Sequence, residues 1–327
     1  MSALVSIVIR TYNRSAIVAG AIESALSQTY RPLEIIVVDD GSTDGTGAVV
    51  QRYGDRVRYI RQAHAGVAPA LNSGIRQARG AYVAFLDDDD LWRERMVERT
   101  VKSLEAAGDG VGVAYVGSRY FVGNDTDRLF DPGWTGRSGD IFDALIENNF
   151  IPINAVLIKK RCLEAVGGCD DGLRGYEDWD LFLRIALAGF AYLYIDDPLA
   201  LIRLHPAHQS SDTLMMKRDA LAVVSKLSRL PGVSSARQPL IRRALARRHL
   251  SLGWYLMLQG CREEGARELR AASPVGAAQA ANKWGLILLS ALFGAPSLQK
   301  ITGWLAPARK TETLGETRKD ESMQGDS

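Results

Sequence analysis

Four short runs rich in β-branched residues, Val5 to Ile9, Glu34 to Val38, Val57 to Ile60 and Tyr82 to Leu86, alternate with stretches of helical spacing, and this rhythm constrains the chain more than any other feature. Parallel strands need a long crossover between them, usually a helix, so the pattern specifies βαβ units on a mostly parallel, Rossmann-like sheet. The first helix is expected to start near Ser15 as N-cap, the second after Ser42-Thr-Asp44, and the third around Pro69, whose missing N–H costs nothing at a helix start. Each strand then delivers a polar loop to the carboxyl end of the sheet, where open α/β sheets bind ligands.

A helix is expected from after Trp92 to about Ala107, followed by a strand from Val111 to Val116. Residues 119–140, rich in Gly, Asp and Arg, read as a loop over the sheet edge, either plain surface or an acceptor-side flap. An apolar run returns at Ile153 to Ile158, Leu181 to Ala188 has helical spacing closed by Gly189, and Leu199 to Arg203 is the last strand-like segment. These place an α/β domain at residues 1–210. From Ser211 onward Ala, Leu and Arg dominate, so residues 211–307 form a helical region. Within it Leu252-Gly-Trp-Tyr255 with Ala266, Leu269 and Pro274 faintly resembles one tetratricopeptide unit, but one unit cannot bury its own face, and a generic helical hairpin is expected. Residues 308–327 are polar and charged and are expected to be disordered.

Forty Lys and Arg against 38 Asp and Glu leave a net charge of only +2, which argues against a dedicated nucleic-acid binder. Cys162, Cys169 and Cys261 fall in no C-x-x-C spacing and leave an odd thiol, so they read as three buried thiols of a reducing compartment. No basic segment precedes the first apolar run, so no signal peptide is read and a cytoplasmic location is expected. The apolar run Trp284 to Phe293 is too short for a membrane span. Together with the basic cluster Arg237, Arg242, Arg243, Arg247 and Arg248 it suits peripheral association with the inner face of a membrane; the alternative is that the run packs inward and the arginines are a solvated face.

Two loops carry the first chemical signal, Arg10-Thr-Tyr-Asn-Arg14 after strand one and Asp39-Asp-Gly-Ser-Thr-Asp44 after strand two. A nucleobase needs an apolar face to stack on and a partner for its edge, which Tyr12 and Asp39 could supply; equally, Asp39 and Asp40 could cap the following helix. The denser signal is Phe85-Leu-Asp-Asp-Asp-Asp-Leu-Trp92. Unit charges about 4 Å apart repel by roughly 1 kcal/mol in bulk water and several times that near a protein surface. Something positive should therefore sit among these carboxylates, and a hard cation such as Mg²⁺ or Mn²⁺, which leaves positions open for phosphate oxygens, fits better than a solvated helix start. Glu177, Asp178 and Asp180 open an apolar helix and could be capping acids or catalytic ones; His205 and His208 follow the last strand and could be ligands or simply exposed.

Taken together, Ser6-Ile-Val-Ile-Arg-Thr-Tyr-Asn-Arg14, Glu34 to Thr46, Asn72-Ser-Gly74, Leu86-Asp-Asp-Asp-Asp-Leu-Trp92 and Glu177-Asp-Trp-Asp-Leu-Phe-Leu-Arg184 resemble the family 2 glycosyltransferases, with their GT-A nucleotide-diphospho-sugar transferase fold. The resemblance spans roughly residues 4–210. It implies that Thr11, Tyr12 and Asp39 hold the nucleobase, that Asp87, Asp88 and Asp89 form a D-x-D motif touching ribose and a divalent metal, that Glu177 joins the donor-binding set, and that Asp178 is the catalytic base. Asp89 and His205 would be the metal ligands. Arg10 stands where Pro is common in the family and Leu71 where Arg is common, the second removing a phosphate contact. The implied activity is an inverting, metal-dependent, hexosyltransferase-like transfer from a nucleotide sugar, a UDP-sugar by expectation, to a glycan or lipid-linked acceptor in bacterial-type polysaccharide or glycoconjugate synthesis of the cell envelope.

Three other readings compete. A dinucleotide dehydrogenase needs G-x-G-x-x-G after strand one, where this chain has Thr-Tyr-Asn-Arg. A sugar nucleotidyltransferase would carry a Gly-rich phosphate loop there, which is missing. A non-catalytic binding protein of the same fold has no need for intact acids at both Asp87 to Asp90 and Glu177-Asp178.

Overall fold

The computed structural model describes residues 2–272, apart from 132, 134, 205–211 and 231–232. The βαβ rhythm becomes β1 (Val5–Thr11), α1 (Val18–Leu26), β2 (Leu33–Asp39), α2 (Thr46–Gln51), β3 (Arg58–Arg61), α3 (Val67–Gln77) and β4 (Tyr82–Asp87). A two-residue strand β5 (Leu91–Trp92) and α4 (Met96–Ala106) follow. The second half contains β6 (Val111–Val122), β7 (Asp125–Phe130), α5 (Phe142–Leu145), β8 (Val156–Lys159), α6 (Lys160–Val166), α7 (Glu177–Leu187) and β9 (Ala191–Leu204). Three helices then pack on, α8 (Thr213–Leu227), α9 (Gln238–Leu258) and α10 (Arg262–Ala271).

Nine strands form one sheet in the order β3-β2-β1-β4-β8-β6-β9-β5, with β7 hydrogen-bonded to β6. β3, β2, β1 and β4 are parallel, β8 joins antiparallel to both β4 and β6, and β6 runs parallel to β9. The architecture is that of the GT-A fold.

Strand alternation assigns the two faces. Val5, Ile7 and Ile9 point into an apolar layer shared with Val18, Ile22, Met96 and Val101 of α1 and α4. Val8, Val83 and Phe85 point into the opposite layer with Leu71, Trp179 and Phe182 of α3 and α7. Because positions 8 and 10 share a face, as do 85 and 87, Arg10 and Asp87 emerge on the side that α7 covers. Val223, Val224 and Leu227 of α8 and Ile241 and Ala244 of α9 belong to this second layer too, so both helices are built into the core that carries α7.

Close approaches fix the helices that frame the site. A Cβ on Gly74 would meet Val8 Cγ1 at 2.2 Å, so α3 lies directly on β1 only because position 74 has no side chain. From α3, Asn72 Nδ2 donates to Cys169 O at 2.9 Å and to Asp171 Oδ1 at 2.7 Å, and its Oδ1 accepts the Cys169 N–H at 2.8 Å. That clamp holds the loop leading into α7. Leu71 is buried in the same layer and so packs in the core.

Several expectations need correction. Ser15 is no N-cap: α1 begins at Val18, and the Ser15 N–H is taken by Asp44 Oδ2 at 3.1 Å. Residues 119–140 are not all loop, since β6 runs on to Val122 and β7 pairs back on it with Tyr120 opposite Phe130. β7 has almost no buried residue, so it lacks the apolar face by which a strand is read from sequence. Cys162 and Cys169 are buried free thiols, but Cys261 is exposed. In the helical region α9 and α10 form the expected hairpin, with a Cβ on Gly253 falling 2.9 Å from Gly265 O, and α8 adds a third helix.

The basic cluster on α9 is divided. Arg237 pairs with Asp140 and lies over the Phe142 ring, Arg247 pairs with Glu147, and the Arg248 guanidinium sits 4.9 Å from the Trp179 ring centroid. Arg242 and Arg243 are exposed. No helix among the described residues is long and apolar enough to cross a membrane. His205, His208, Pro274, the Trp284 to Phe293 run and residues 308–327 lie outside the described residues.

Candidate active site

The carboxyl ends of β1, β2 and β4 stand in one row, with Thr11 opposite Asp39 and Arg10 opposite Asp87 in the strand register. The loops after β1 and β2 are laced together. The Asn13 and Arg14 N–H groups donate to Ser42 Oγ and Thr46 Oγ1, each at 2.9 Å, while Asn13 Oδ1 accepts the Thr43 N–H at 2.8 Å. Asn13 adopts φ 53°, a left-handed conformation that Asn tolerates and that turns the chain into this lacing.

Both readings of Asp39 have structural content. Its Oδ1 accepts the Ser42 N–H at 2.8 Å and its Oδ2 the Tyr59 hydroxyl at 2.6 Å, so it braces its own loop while each oxygen keeps a further lone pair. Asp40 is a brace: Oδ1 takes Gln62 Nε2 at 2.8 Å and the Ala65 N–H at 3.0 Å, and Oδ2 takes the Gly66 N–H at 2.8 Å. Tyr12 is 37% exposed and stacks on His64 with centroids 4.1 Å apart and planes 21° from parallel. His64, held 2.9 Å from Asp40 Oδ2, was missed in the sequence. The available signal was its place in the loop after β3, the third of the four strand-end loops. A base stacking on Tyr12 must use the other face of the ring or displace His64.

The four aspartates after β4 have different work. Asp90 is a latch: Oδ1 accepts the Arg203 N–H at 2.7 Å, and Oδ2 accepts from Asn154 Nδ2. Burial, reinforced by Asp87 and Asp89, holds the Asp90 carboxyl well above the ordinary carboxylate range. Arg203 also donates through Nε to Asp89 O at 2.7 Å and through a terminal nitrogen to Asn124 Oδ1 at 2.8 Å, which ties the aspartate turn to the β6–β7 hairpin. Trp92 Nε1 donates to Asn154 O at 2.5 Å from the other side.

Asp87, Asp88 and Asp89 lie close to Arg10 and Arg14, so the positive group that their charge density demands is partly supplied from within. Arg10 Nη2 lies 3.4 Å from Asp87 Oδ1, and Arg14 Nε lies 3.8 Å from Asp88 Oδ1. Burial disfavours the Arg10 cation, but Asp87, Asp88, Glu177 and Asp89 outweigh it and hold the guanidinium charged. The cluster still has unmet demand. Asp88 is 2% exposed, its Oδ2 has no hydrogen-bond partner, and burial pushes its carboxyl up to about 6. Thr11 Oγ1 and Arg10 Nε are likewise buried without a partner. The unpartnered Asp88 Oδ2 is the kind of oxygen ligand that a hard divalent cation takes; no ready-made group of three His, Cys, Asp or Glu ligands occurs among the described residues, and Mg²⁺-type sites do not need one.

α7 brings the second acidic pair to this spot. Tyr176, its N-cap, is held at φ 60°, a left-handed conformation costly for an aromatic residue, and the next two residues are Glu177 and Asp178. Asp178 Oδ1 accepts its neighbour Trp179 N–H at 2.6 Å and Oδ2 accepts Asn149 Nδ2 at 3.1 Å. Burial pushes Asp178 up to about 6 against those two hydrogen bonds, with the charge of Asp87 adding to the rise. Glu177 is pushed up to about 8, by burial first and by Asp178 second. Asp180 is not part of this group. It is fully buried and structural, paired with Arg184 at 2.7 Å and Lys226 at 3.1 Å.

The sheet thus carries at its strand ends two laced loops and an aspartate turn, with a helix that opens on acids beside them. The chain belongs to glycosyl transferase family 2, whose model matches residues 6–160. An uncharacterized glycosyltransferase of Rickettsia typhi is 32% identical over 222 residues, covering 65% of this chain and 68% of that one. Among solved structures, Staphylococcus aureus TarS residues 1–349 in complex with UDP-GlcNAc aligns with a TM-score of 0.63 at 17% identity, over 82% of this chain and 79% of that chain. The mannosyltransferase PcManGT of Pyrobaculum calidifontis, in complex with GDP-Man and Mn²⁺, aligns with a TM-score of 0.59 at 22% identity, over 93% of this chain and 85% of that chain. At these identities the structures speak to the fold.

The acid pair has a measurable consequence. Glu177 and Asp178 keep their protons to higher pH in the folded chain than in an unfolded one, so from the ordinary carboxylate range up to about pH 8 the folded state binds more protons and stability falls as pH rises. The thermal midpoint of the ligand-free protein is expected to drop between about pH 5 and about pH 8. Glu177→Gln, which removes the charge and keeps the shape, should flatten that slope and raise the midpoint at the alkaline end; a slope identical in both proteins would refute the assignment.

Proposed function

We propose that this glycosyltransferase is an inverting, metal-dependent hexosyltransferase that moves a sugar from a UDP-sugar to a hydroxyl of a glycan or lipid-linked acceptor in bacterial-type polysaccharide or glycoconjugate synthesis, with the transferase unit ending near residue 210. The carrying observation is that Asp87, at the end of β4, and Glu177, which opens α7 beside Asp178, act on one guanidinium, that of Arg10, whose Nη2 lies 3.4 Å from Asp87 Oδ1. One carboxylate poised as a base opposite a diphosphate-binding turn is what single-displacement transfer requires.

In this reading Thr11, Tyr12 and Asp39 hold the uracil, and Asp87 and Asp88 take the ribose and donor sugar. The acceptor oxygen attacks the anomeric carbon from the face opposite the nucleotide, forming the new C–O bond as the bond to the diphosphate breaks, and its proton passes to Asp178. An aspartate raised to about 6 is ionised at neutral pH yet more basic than a solvated one, which suits that transfer. Glu177, raised to about 8, keeps its proton there and can donate a hydrogen bond to the donor. Asp89 and His205 would hold a Mn²⁺ or Mg²⁺ ion, which would supply charge stabilisation for the departing nucleoside diphosphate. The complexes of PcManGT with GDP-Man and Mn²⁺ and of TarS with UDP-GlcNAc support metal use and a UDP-sugar donor by analogy. The exposed Arg242 and Arg243 support peripheral association with the inner face of a membrane.

Asp178→Asn is expected to leave UDP binding intact and to lower turnover at least about 10²-fold, as loss of a general base does; native-like turnover with a working acceptor would place the base elsewhere. Asp89→Ala should abolish metal-stimulated release of nucleoside diphosphate, and excess chelator should do the same to the native protein. Full activity in chelator would rule the metal out. For the membrane reading, flotation with anionic vesicles should show binding that weakens with salt and falls in Arg242→Gln/Arg243→Gln; a chain that stays unbound at low salt refutes it.

A further inference from the structure

A polar cavity of about 270 Å³ opens between the start of α7 and the helices α8 and α9. Tyr176, Thr213, Met216, Lys217, Arg248 and Ser251 line it. Two of these are cations on neighbouring helices, and neither has a carboxylate partner within salt-bridge distance among the described residues. Lys217 Nζ donates to Ser251 Oγ at 2.7 Å and faces the Tyr255 ring at 5.7 Å. Arg248 donates to the Glu147 carbonyl at 2.5 Å and lies on Trp179, while its Nε is buried without a partner. The nearby acids are engaged elsewhere. Glu147 takes Arg247, Asp212 caps α8 through the Met215 N–H at 2.9 Å, and Asp219 accepts the Arg174 and Gly175 N–H groups at 3.0 and 2.8 Å.

Two cations held together in a half-buried cavity without counter-charge disfavour each other. Burial, and for Lys217 the neighbouring Arg248 charge, lowers the proton affinity of both. An anion entering the cavity would relieve that cost and gain charge-assisted hydrogen bonds from Lys217 and Arg248, with the hydroxyls of Ser251 and Thr213 at hand and the first turn of α8 beside it. The cavity's place gives it a function. Tyr176, which lines it, is followed directly by Glu177 and Asp178, and Trp179 carries Arg248.

We propose that this cavity is an acceptor subsite for a phosphate group, so that the molecule glycosylated by this enzyme carries a phosphate monoester or diester close to the hydroxyl presented to Asp178. The acceptor role rests on the reading of Asp178 as base; the anion site itself does not.

Isothermal titration of the full-length protein separates the two. Inorganic phosphate and a short-chain phosphatidic acid below its micelle concentration are the probes, with UDP as the donor-site control. Binding of at least one phosphate probe is expected, weakened about tenfold or more in Lys217→Gln, retained in Lys217→Arg, and unchanged in Asp39→Ala, the donor-site variant. A clear preference for the lipid phosphate would assign the group to a headgroup, and equal binding to the phosphate alone. UDP should bind Lys217→Gln as it binds the native protein, and failure of UDP to bind the native protein would count against the donor site while leaving the phosphate result standing. The proposal is overturned if neither probe binds, or if Lys217→Gln binds both as the native protein does.

Discussion

The guanidinium of Arg10 is the charge around which the active site is assembled. Asp87, Asp88, Asp89 and Glu177 all act on it, and Asp178, raised chiefly by burial, also feels Asp87. Gathering that many carboxylates at the edge of an apolar sheet is unfavourable without a positive group among them, and β1 delivers one in register with the end of β4. Arg10 leaves the demand only partly met. The buried, unpartnered Asp88 Oδ2 and the raised proton affinity of Glu177, which burial and the neighbouring Asp178 cause, show how much of that demand remains.

Holding such a site open requires rigid supports, and these are other polar residues of the same motifs. Asp90 is fastened by Arg203 and Asn154, which fixes the direction in which Asp87 to Asp89 point. Asn72 clamps the loop before α7, and Gly74 lets α3 sit close enough to β1 to apply that clamp. Asp180 anchors α7 through Arg184 and Lys226, with Lys226 reaching across from α8. Residues that look alike in the motifs therefore differ in their partners: Asp90 and Asp40 have both oxygens satisfied by protein, Asp180 is locked in ion pairs with Arg184 and Lys226, and Asp88 keeps one buried oxygen without a partner.

The C-terminal helices belong to this arrangement. α8 and α9 complete the apolar layer beneath α7, and the arginines of α9 turn partly inward, Arg248 onto Trp179 and Arg237 onto Phe142. Their contribution is thus to the support of α7 and to the walls of the cavity between α7, α8 and α9, in addition to whatever surface Arg242 and Arg243 present.

By itself the sequence determined the parallel βαβ half, the placing of its polar loops at strand ends, and the two acidic motifs, because period-2 and period-3.6 burial and local charge density are written in consecutive residues. It left open whether Asp39, Asp40, Asp90 and Asp180 bind or brace, because the deciding partners, Tyr59, Gln62, Asn154, Arg203, Arg184 and Lys226, come mostly from distant segments. β7 was illegible because an edge strand exposed on nearly all sides has no apolar alternation. The stacking of His64 on Tyr12, the place of Arg10 among the carboxylates and the pairing of Lys217 with Arg248 around one cavity were decided only by tertiary structure. Each is a contact between segments brought together by sheet order and helix packing, and no local pattern in the chain encodes such a distance.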